Sequence, residues 1–429
     1  MEIERVKEYL IDFQKRELPD LTSREIKITS TKKIKSVIGP RRAGKTFFLF
    51  QEMKTLLDKG VKKENILYLN FEDPWLIEIN FKEVREIIKL HWQLYPESSK
   101  EQLHIFIDEP QNVSGWEIAV RSLHDEGFDI FLTGSSSKLL SKEIATSLRG
   151  RNLSYTVLPF SFREFLKLKK AEFVIEKLSS KEKSALLSFV DEYLEYGGFP
   201  EIILEESVEN KIKIIKEYFD LIVYRDIVER YSIKNTQLIR WLIKSLTASF
   251  SKEFSVHKVY TTLKSSGMKL SKNTLYSYLS MLEGSMFVFL IQKFKHSIRK
   301  NEFSINKAYL SDFFFAKLIE VSPDKGRRME NSVFLELKRK ENEIFYWSDG
   351  NSEVDFVVKQ NTKIRQLIQV CFNIDEPETK KREVNALIKA SKELKCENLL
   401  VITQDKEKTE ILNNKKIKYL PIWKWLLSI

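Results

Sequence analysis

Between about residues 33 and 160, short apolar runs alternate with helical stretches. The runs Ile34–Ile38, Asn65–Phe71, Leu103–Ile107, Phe128–Thr133 and Leu153–Leu158 read as strands. Strand–helix alternation predicts a parallel sheet with helices on both faces. Residues 1–26 read as an opening amphipathic helix and a connection. Residues 161–232 read as mostly helical, broken by the loop signal Tyr196-Gly197-Gly198-Phe199-Pro200. Residues 236–300 read as three short helices and then strands, and residues 328–405 return to mixed strand and helix. No internal repeat and no Pro- or Ser-rich linker marks the boundaries.

Composition narrows the class. The chain has 429 residues, 42% hydrophobic and 31% charged. At roughly 100–200 residues per domain, two to four domains with sizeable cores are expected, not disorder. Two cysteines, Cys371 and Cys396, exclude a disulfide scaffold or a four-thiolate zinc site. The net charge of +11 permits a nucleic-acid partner without demanding one. The first residues carry charge every second or third position, unlike a signal peptide. The longest apolar run, Met286–Ile291, falls far short of the roughly 20 residues that span a bilayer. These features predict a soluble cytoplasmic protein with reduced thiols and no membrane partner.

Gly39-Pro40-Arg41-Arg42-Ala43-Gly44-Lys45-Thr46 fits G-x-x-x-x-G-K-[ST], with a strand before it and a helical run, Phe47–Leu57, after it. Glycines let successive backbone N–H groups curl around a phosphate, and the helix N-terminus adds its positive end. Residues Gly39 to Phe47 would hold a nucleotide; Lys45 would reach the β- and γ-phosphates and Thr46 would ligate Mg²⁺. The competing reading is an ordinary strand–turn–helix.

Leu103–Ile107 ends in Asp108 and Glu109. Carboxylates at the C-terminal end of a buried parallel strand stand where such sheets bind ligands. Asp108 would hold Mg²⁺ and Glu109 would polarise the attacking water. Asn65–Phe71 lies between the two motif strands, an order typical of NTPases in which a strand is inserted between them. At the end of the Phe128 strand, Thr133 or Ser135 would sense the γ-phosphate, unless they only cap a helix. Arg149 and Arg151, which could act on the γ-phosphate of a neighbouring subunit, and further on Arg225, are candidates to neutralise the γ-phosphate, with a solvated basic surface as the alternative.

The loop Gly39–Thr46, Ile105–Glu109, Leu132–Ser136, Gly150-Arg151, the run Leu158-Pro159-Phe160-Ser161-Phe162-Arg163-Glu164-Phe165 and Gly197-Gly198-Phe199-Pro200-Glu201 resemble an AAA+-type ATPase family of archaea and bacteria. In that family the ATPase module precedes a C-terminal domain of unknown function. The resemblance covers nearly the whole chain and implies the AAA+ branch of the P-loop fold, with ATP and Mg²⁺ as ligands and a homo-oligomer as one option.

Two further layouts follow. Ser255–Leu263, a turn at Gly267, a second capped stretch Ser271–Leu279 and the strand Met286–Ile291, with Lys293, Lys295, His296, Arg299 and Lys300 beyond, have the order of a winged helix-turn-helix. Lys272, Asn273 and Tyr276 would then face duplex DNA. The alternative is a rigid packing module, since that second helix carries one Lys and no Arg. His257 reads as a surface residue. Residues 328–371, with Glu330, Asp355, Gln369 and Cys371, resemble a restriction-endonuclease-like core. Gln369 and Cys371 stand where that core has an acid and a lysine, so cleavage is expected to be absent or very weak, with Glu330 and Asp355 either holding a metal weakly or making only structural hydrogen bonds.

The expected architecture is α/β. A P-loop ATPase core (1–165) is followed by a helical lid (166–232), a winged helix-turn-helix (233–310) and a restriction-endonuclease-like domain (311–429). The expected function is Mg²⁺-dependent ATP hydrolysis that moves the later domains. The alternatives are a nucleotide-gated DNA- or protein-binding switch and, less favoured, an ATP-dependent nuclease.

Overall fold

The computed structural model describes residues 2–134, 148, 150–295, 305–319 and 324–428. The chain forms two compact units, residues 1–157 and 158–429.

In the first unit, helix α1 (Ile3–Lys15) buries Val6, Leu10 and Phe13, one stripe at helical spacing. The strands are β1 (Ile34–Ile38), β2 (Ile66–Asn70), β3 (His104–Asp108), β4 (Asp129–Gly134) and β5 (Asn152–Thr156). All pair in parallel in the order β2-β3-β4-β1-β5. β1 is buried at every position, as a strand covered on both faces requires. Helices α2 (Lys45–Asp58), α3 (Val84–Leu94) and α4 (Trp116–Asp125) connect the strands. The strand standing between the motif strands β1 and β3 is β4. The Asn65–Phe71 segment supplies β2, outside β3 at the sheet edge.

The second unit opens with α5 (Phe162–Leu168). Ser161 and Glu164 form a reciprocal capping box at its start. A second box, Ser179 with Glu182, starts α6 (Ser180–Tyr196). After α7 (Pro200–Leu204) and α8 (Val208–Leu221) comes a π-helical segment, Ile222–Glu229.

Next are α9 (Thr236–Ala248), β6 (Lys252–Phe254), α10 (Val256–Ser265), α11 (Lys272–Gly284), β7 (Val288–Gln292) and β8 (Asn306–Leu310). The three strands make an antiparallel sheet in the order β6-β8-β7. The chain ends with α12 (Lys325–Arg339), β9 (Glu343–Ser348), β10 (Glu353–Gln360), β11 (Lys363–Cys371), α13 (Pro377–Leu394), β12 (Leu399–Thr403), β13 (Lys408–Leu412), β14 (Lys415–Pro421) and α14 (Ile422–Ser428). Its six strands run β13-β14-β12-β11-β10-β9.

One hydrophobic core runs through this unit from Leu158 to Leu426 and includes Phe199, Leu242, Leu275, Phe315 and Phe334. The helical, helix–turn–helix and C-terminal segments therefore share an interior, consistent with the absence of linker sequence between them. Among the described residues, no helix is long and apolar enough to cross a membrane.

Candidate nucleotide site

The loop between β1 and α2 follows from its glycines. A Cβ on Gly39 would lie 2.0 Å from the Val157 carbonyl oxygen, so no other residue fits there without moving backbone. Gly44 has φ +92°, a left-handed conformation that glycine adopts without strain, and α2 begins at the next residue. Lys45 is 6% exposed, and its ammonium donates to the Pro40 carbonyl at 3.0 Å, spanning its own loop. Phe47 is exposed, and Arg42 adopts φ +64°.

Parallel register brings the polar ends of three strands together. Leu132 pairs with Ile107, so Thr133 and Asp108 stand abreast at the strand ends. The Thr46 hydroxyl donates to Asp108 Oδ2 at 2.7 Å, and the Thr133 hydroxyl donates to Oδ1. Tyr68, on β2, also donates to Oδ2, at 3.2 Å. Asp108 is 3% exposed. Burial and the neighbouring Glu109 push its carboxyl above the ordinary range, opposed by the two threonine hydroxyls and Lys45. A hydroxyl and a carboxylate converging beside the loop form the hard-oxygen donor set that suits Mg²⁺.

Glu109 turns the chain at the end of β3 with φ +52°, and its carboxylate accepts from the Gln111 amide. Pro110 follows, and the residue before a proline is disfavoured in the right-handed helical region. A cavity of about 410 Å³ opens beside Thr46, lined also by Tyr9, Arg16, Tyr68, Asn70 and Trp75.

Two expectations change. Thr133 is fully buried and its hydroxyl is committed to Asp108, so it braces that carboxylate instead of facing a phosphate. Arg151 is at the wrong end of the sheet. Its carbonyl accepts from the N–H of Ile34, where β1 begins, whereas the loop follows the other end of that strand. Five residues of strand separate the two ends by roughly 16 Å, so Arg151 does not reach a phosphate in its own loop. Its guanidinium makes a two-pronged pair with Asp125, at 3.0 and 3.2 Å. Ser135 and Arg149 lie outside the described residues.

Two arginines that motif reading missed belong to this unit. Arg24 is 7% exposed and donates from Nη1 to the Ala43 carbonyl at 2.8 Å, underpinning the phosphate loop. Arg16 lies over the rings of Phe13, Phe50 and Tyr68 at 5.4, 5.8 and 5.8 Å. Neither stands in a motif, and no local signal marks them.

In the second unit, Lys272, Asn273 and Tyr276 are all exposed near the start of α11, which Ser271 caps. Lys264 and Lys272 both lie over the Tyr260 ring, at 5.8 and 5.4 Å. His257 is exposed on α10, and Arg225 is exposed on the π-helical segment. His296, Arg299 and Lys300 lie outside the described residues.

Glu330 and Asp355 do converge, around an ammonium that the sequence did not flag. Lys307 Nζ lies 2.8 Å from Glu330, 2.6 Å from Glu353 and 2.8 Å from Asp355. Gln369 accepts from the Asp355 N–H at 3.3 Å and donates to Glu383 at 2.5 Å. Burial pushes the Cys371 thiol up to about 12.

Comparison with known proteins agrees with this layout. Residues 31–166 match a family described as an AAA domain. Residues 188–325 and 325–425 match two domains of unknown function, DUF8612 and DUF4143. An uncharacterized protein of Methanocaldococcus jannaschii is 42% identical over 94% of this chain and 90% of its own length. An uncharacterized protein of Haemophilus influenzae is 33% identical over 82% of this chain and 85% of its own. A DNA polymerase III gamma subunit-related protein from Thermotoga maritima aligns at 15% identity with a TM-score of 0.23, covering 66% of this chain and all of that one. That score is too low for the two overall shapes to correspond. The fold assignment rests on the all-parallel order β2-β3-β4-β1-β5 and the phosphate loop at the end of β1. With these matches spanning it nearly end to end, the chain belongs to a family of proteins in which an AAA domain precedes C-terminal domains of unknown function.

Proposed function

We propose that this protein is a Mg²⁺-dependent ATPase. The observation that carries the reading is Asp108, which receives the hydroxyls of Thr46 and Thr133 beside a glycine-built phosphate loop. In this reading Gly39 to Phe47 wrap the phosphates with backbone N–H groups, and Lys45 leaves the Pro40 carbonyl to pair with the β- and γ-phosphates. A bound Mg²⁺ supplies neutralisation of the β- and γ-phosphate oxygens, and Thr46 and Asp108 are the residues that would hold it. Glu109 releases the Gln111 amide and orients the attacking water, taking its proton.

The nucleotide state would then move the unit formed by residues 158–429, and an arginine from a second copy would complete the charge neutralisation. Steady-state ATP hydrolysis with Mg²⁺ tests this. The wild-type protein turns ATP over; Lys45→Ala loses ATP binding, and Glu109→Gln keeps binding while losing turnover. A Glu109→Gln variant with wild-type turnover removes the assignment of Glu109. Absence of both binding and turnover in the wild type removes the reading altogether.

A second reading, a nucleotide-gated DNA-binding switch, is favoured by the exposed surface of α10 and α11. There Tyr260 stands between Lys264 and Lys272, with Asn273 and Tyr276 exposed nearby. The helix–turn–helix followed by the β7–β8 hairpin would be a winged helix, with α11 entering the major groove.

A further inference from the structure

The resemblance to a restriction-endonuclease-like core implies a divalent metal between Glu330 and Asp355, and the residues present do not fit one. The place is taken by Lys307, from β8 of the three-stranded sheet. Its ammonium has three protons and meets three carboxylates, at 2.8, 2.6 and 2.8 Å. Lys307 is 2% exposed. Two of the carboxylates are also oriented by their own framework. The Tyr309 hydroxyl donates to Glu330 at 2.7 Å, and the Val370 N–H donates to Asp355 at 2.8 Å. Tyr309 lies two residues beyond Lys307 on the same face of β8, so one strand supplies both the ammonium and the hydroxyl.

The metal would also lack its usual partners on β11. Gln369 is already bonded to Asp355 and Glu383, and Cys371 is a buried neutral thiol. Among the described residues, no group of three or more His, Cys, Asp or Glu side chains has the spacing to hold a metal. All three carboxylates stand farther from the central ammonium than the ~2.1 Å of Mg²⁺, and Glu330 and Asp355 also stand beyond the ~2.3–2.6 Å of Ca²⁺. Charge supports the same picture. For Lys307 the carboxylates outweigh burial and hold the ammonium well above its ordinary value.

We propose that Lys307 is the built-in cation of this carboxylate centre: it excludes divalent metal, bolts strand β8 to the C-terminal sheet, and leaves a vacant metal site only when it is removed. The centre is therefore a structural lock in the resting chain and not a nuclease site.

Luminescence titration with Tb³⁺ tests this on the full chain carrying Asp108→Asn, which removes the carboxylate of the proposed nucleotide-site metal. The parent is expected to bind no Tb³⁺ ion that depends on Asp355. Adding Lys307→Met is expected to create one site per chain, at least 100-fold tighter than any residual binding, and to lower the Tm. Millimolar Mn²⁺ should restore that Tm. Adding Asp355→Asn should abolish the new site.

If Lys307→Met does not fold, Lys307→Met with Glu330→Gln buries one charge fewer while keeping Asp355 and Glu353. It is expected to bind one Tb³⁺ more weakly. An Asp355-dependent site in the parent overturns the exclusion. A folded Lys307→Met, or folded double variant, that takes up no Tb³⁺ overturns the assignment of a cation centre. None of these readouts depends on ATP turnover.

Discussion

Thr46 Oγ1 donates to Asp108 Oδ2 at 2.7 Å, joining the first turn of α2 to the end of β3 across 62 residues of chain. In the proposed function both groups would ligate one Mg²⁺, so metal and hydrogen bond would compete for the same oxygens. Asp108→Asn keeps the size but loses the charge. It is expected to lower Mg²⁺-dependent ATP turnover by at least 100-fold while leaving nucleotide binding in EDTA within a few-fold of wild type. Parallel measurements of kcat and of Kd in EDTA check both halves.

Thr133 and Arg24 predict a different pattern, because each acts on a neighbour. Thr133→Val leaves a buried carboxylate oxygen short of a donor, at a cost of about 1–3 kcal/mol. It should lower Tm and turnover together, whereas a residue touching the phosphate would change turnover alone. Arg24→Met removes the prop under Ala43 and should weaken ATP binding about tenfold, at the low end of the usual range for a lost charged hydrogen bond. Unchanged affinity would make Arg24 a packing residue only.

Asp312 predicts a pH dependence. It accepts the N–H groups of Gly198 and Phe314 at 2.7 and 2.8 Å, deep in the second unit. Burial still pushes its carboxyl up to about 7 from an ordinary 3.8, against those two N–H groups. The folded chain therefore holds this proton more tightly than the unfolded chain. Its contribution to stability is fully present below the ordinary value and is lost as pH rises toward 7. Asp312→Asn should flatten the fall in stability between those limits, seen in urea melts at several pH values.

Gly197 makes the same joint sensitive to a single methyl. A Cβ there would lie 1.9 Å from Asp312 Oδ1, and the residue has φ +75°. Gly197→Ala should cost upwards of about 3 kcal/mol, combining overpacking with a disfavoured backbone. Thermal melts of the full chain measure this; a loss of less than a degree would contradict the close approach.

For the helix–turn–helix surface, binding to a random duplex should weaken with salt. Lys264→Ala and Lys272→Ala should each reduce the slope of log K against log salt by about one. A slope unchanged in both variants would exclude this face as the DNA contact.

Local patterns in the chain were sufficient for the strands and for the positions of the glycine loop, Asp108 and Glu109 at the strand ends, because these depend on short-range demands. Five apolar residues make a buried strand, a glycine permits a left-handed turn, and a carboxylate at a strand end faces the ligand side. The two motifs Pro-Phe-Ser-Phe-Arg-Glu-Phe and Gly-Gly-Phe-Pro-Glu were legible as a family mark but not as a purpose. The Phe160 N–H donates to the Gly198 carbonyl at 2.7 Å, so the two segments are halves of one joint, beside a capping box.

Which strand stands between β1 and β3, which arginine lies near the loop and which cation fills the C-terminal carboxylates were decided only by the tertiary structure. Strand order is a matter of which edges pair, and nothing in β4 itself names its neighbours. Arg151 immediately precedes β5, at the end of the sheet away from the phosphate loop of its own chain. Lys307 sits 23 residues before Glu330 and 48 before Asp355, in a segment whose sequence carries no nuclease signal. Charges that meet across such separations are brought together by the packing of whole elements. That packing reflects the total burial of the core, which no local window of sequence contains.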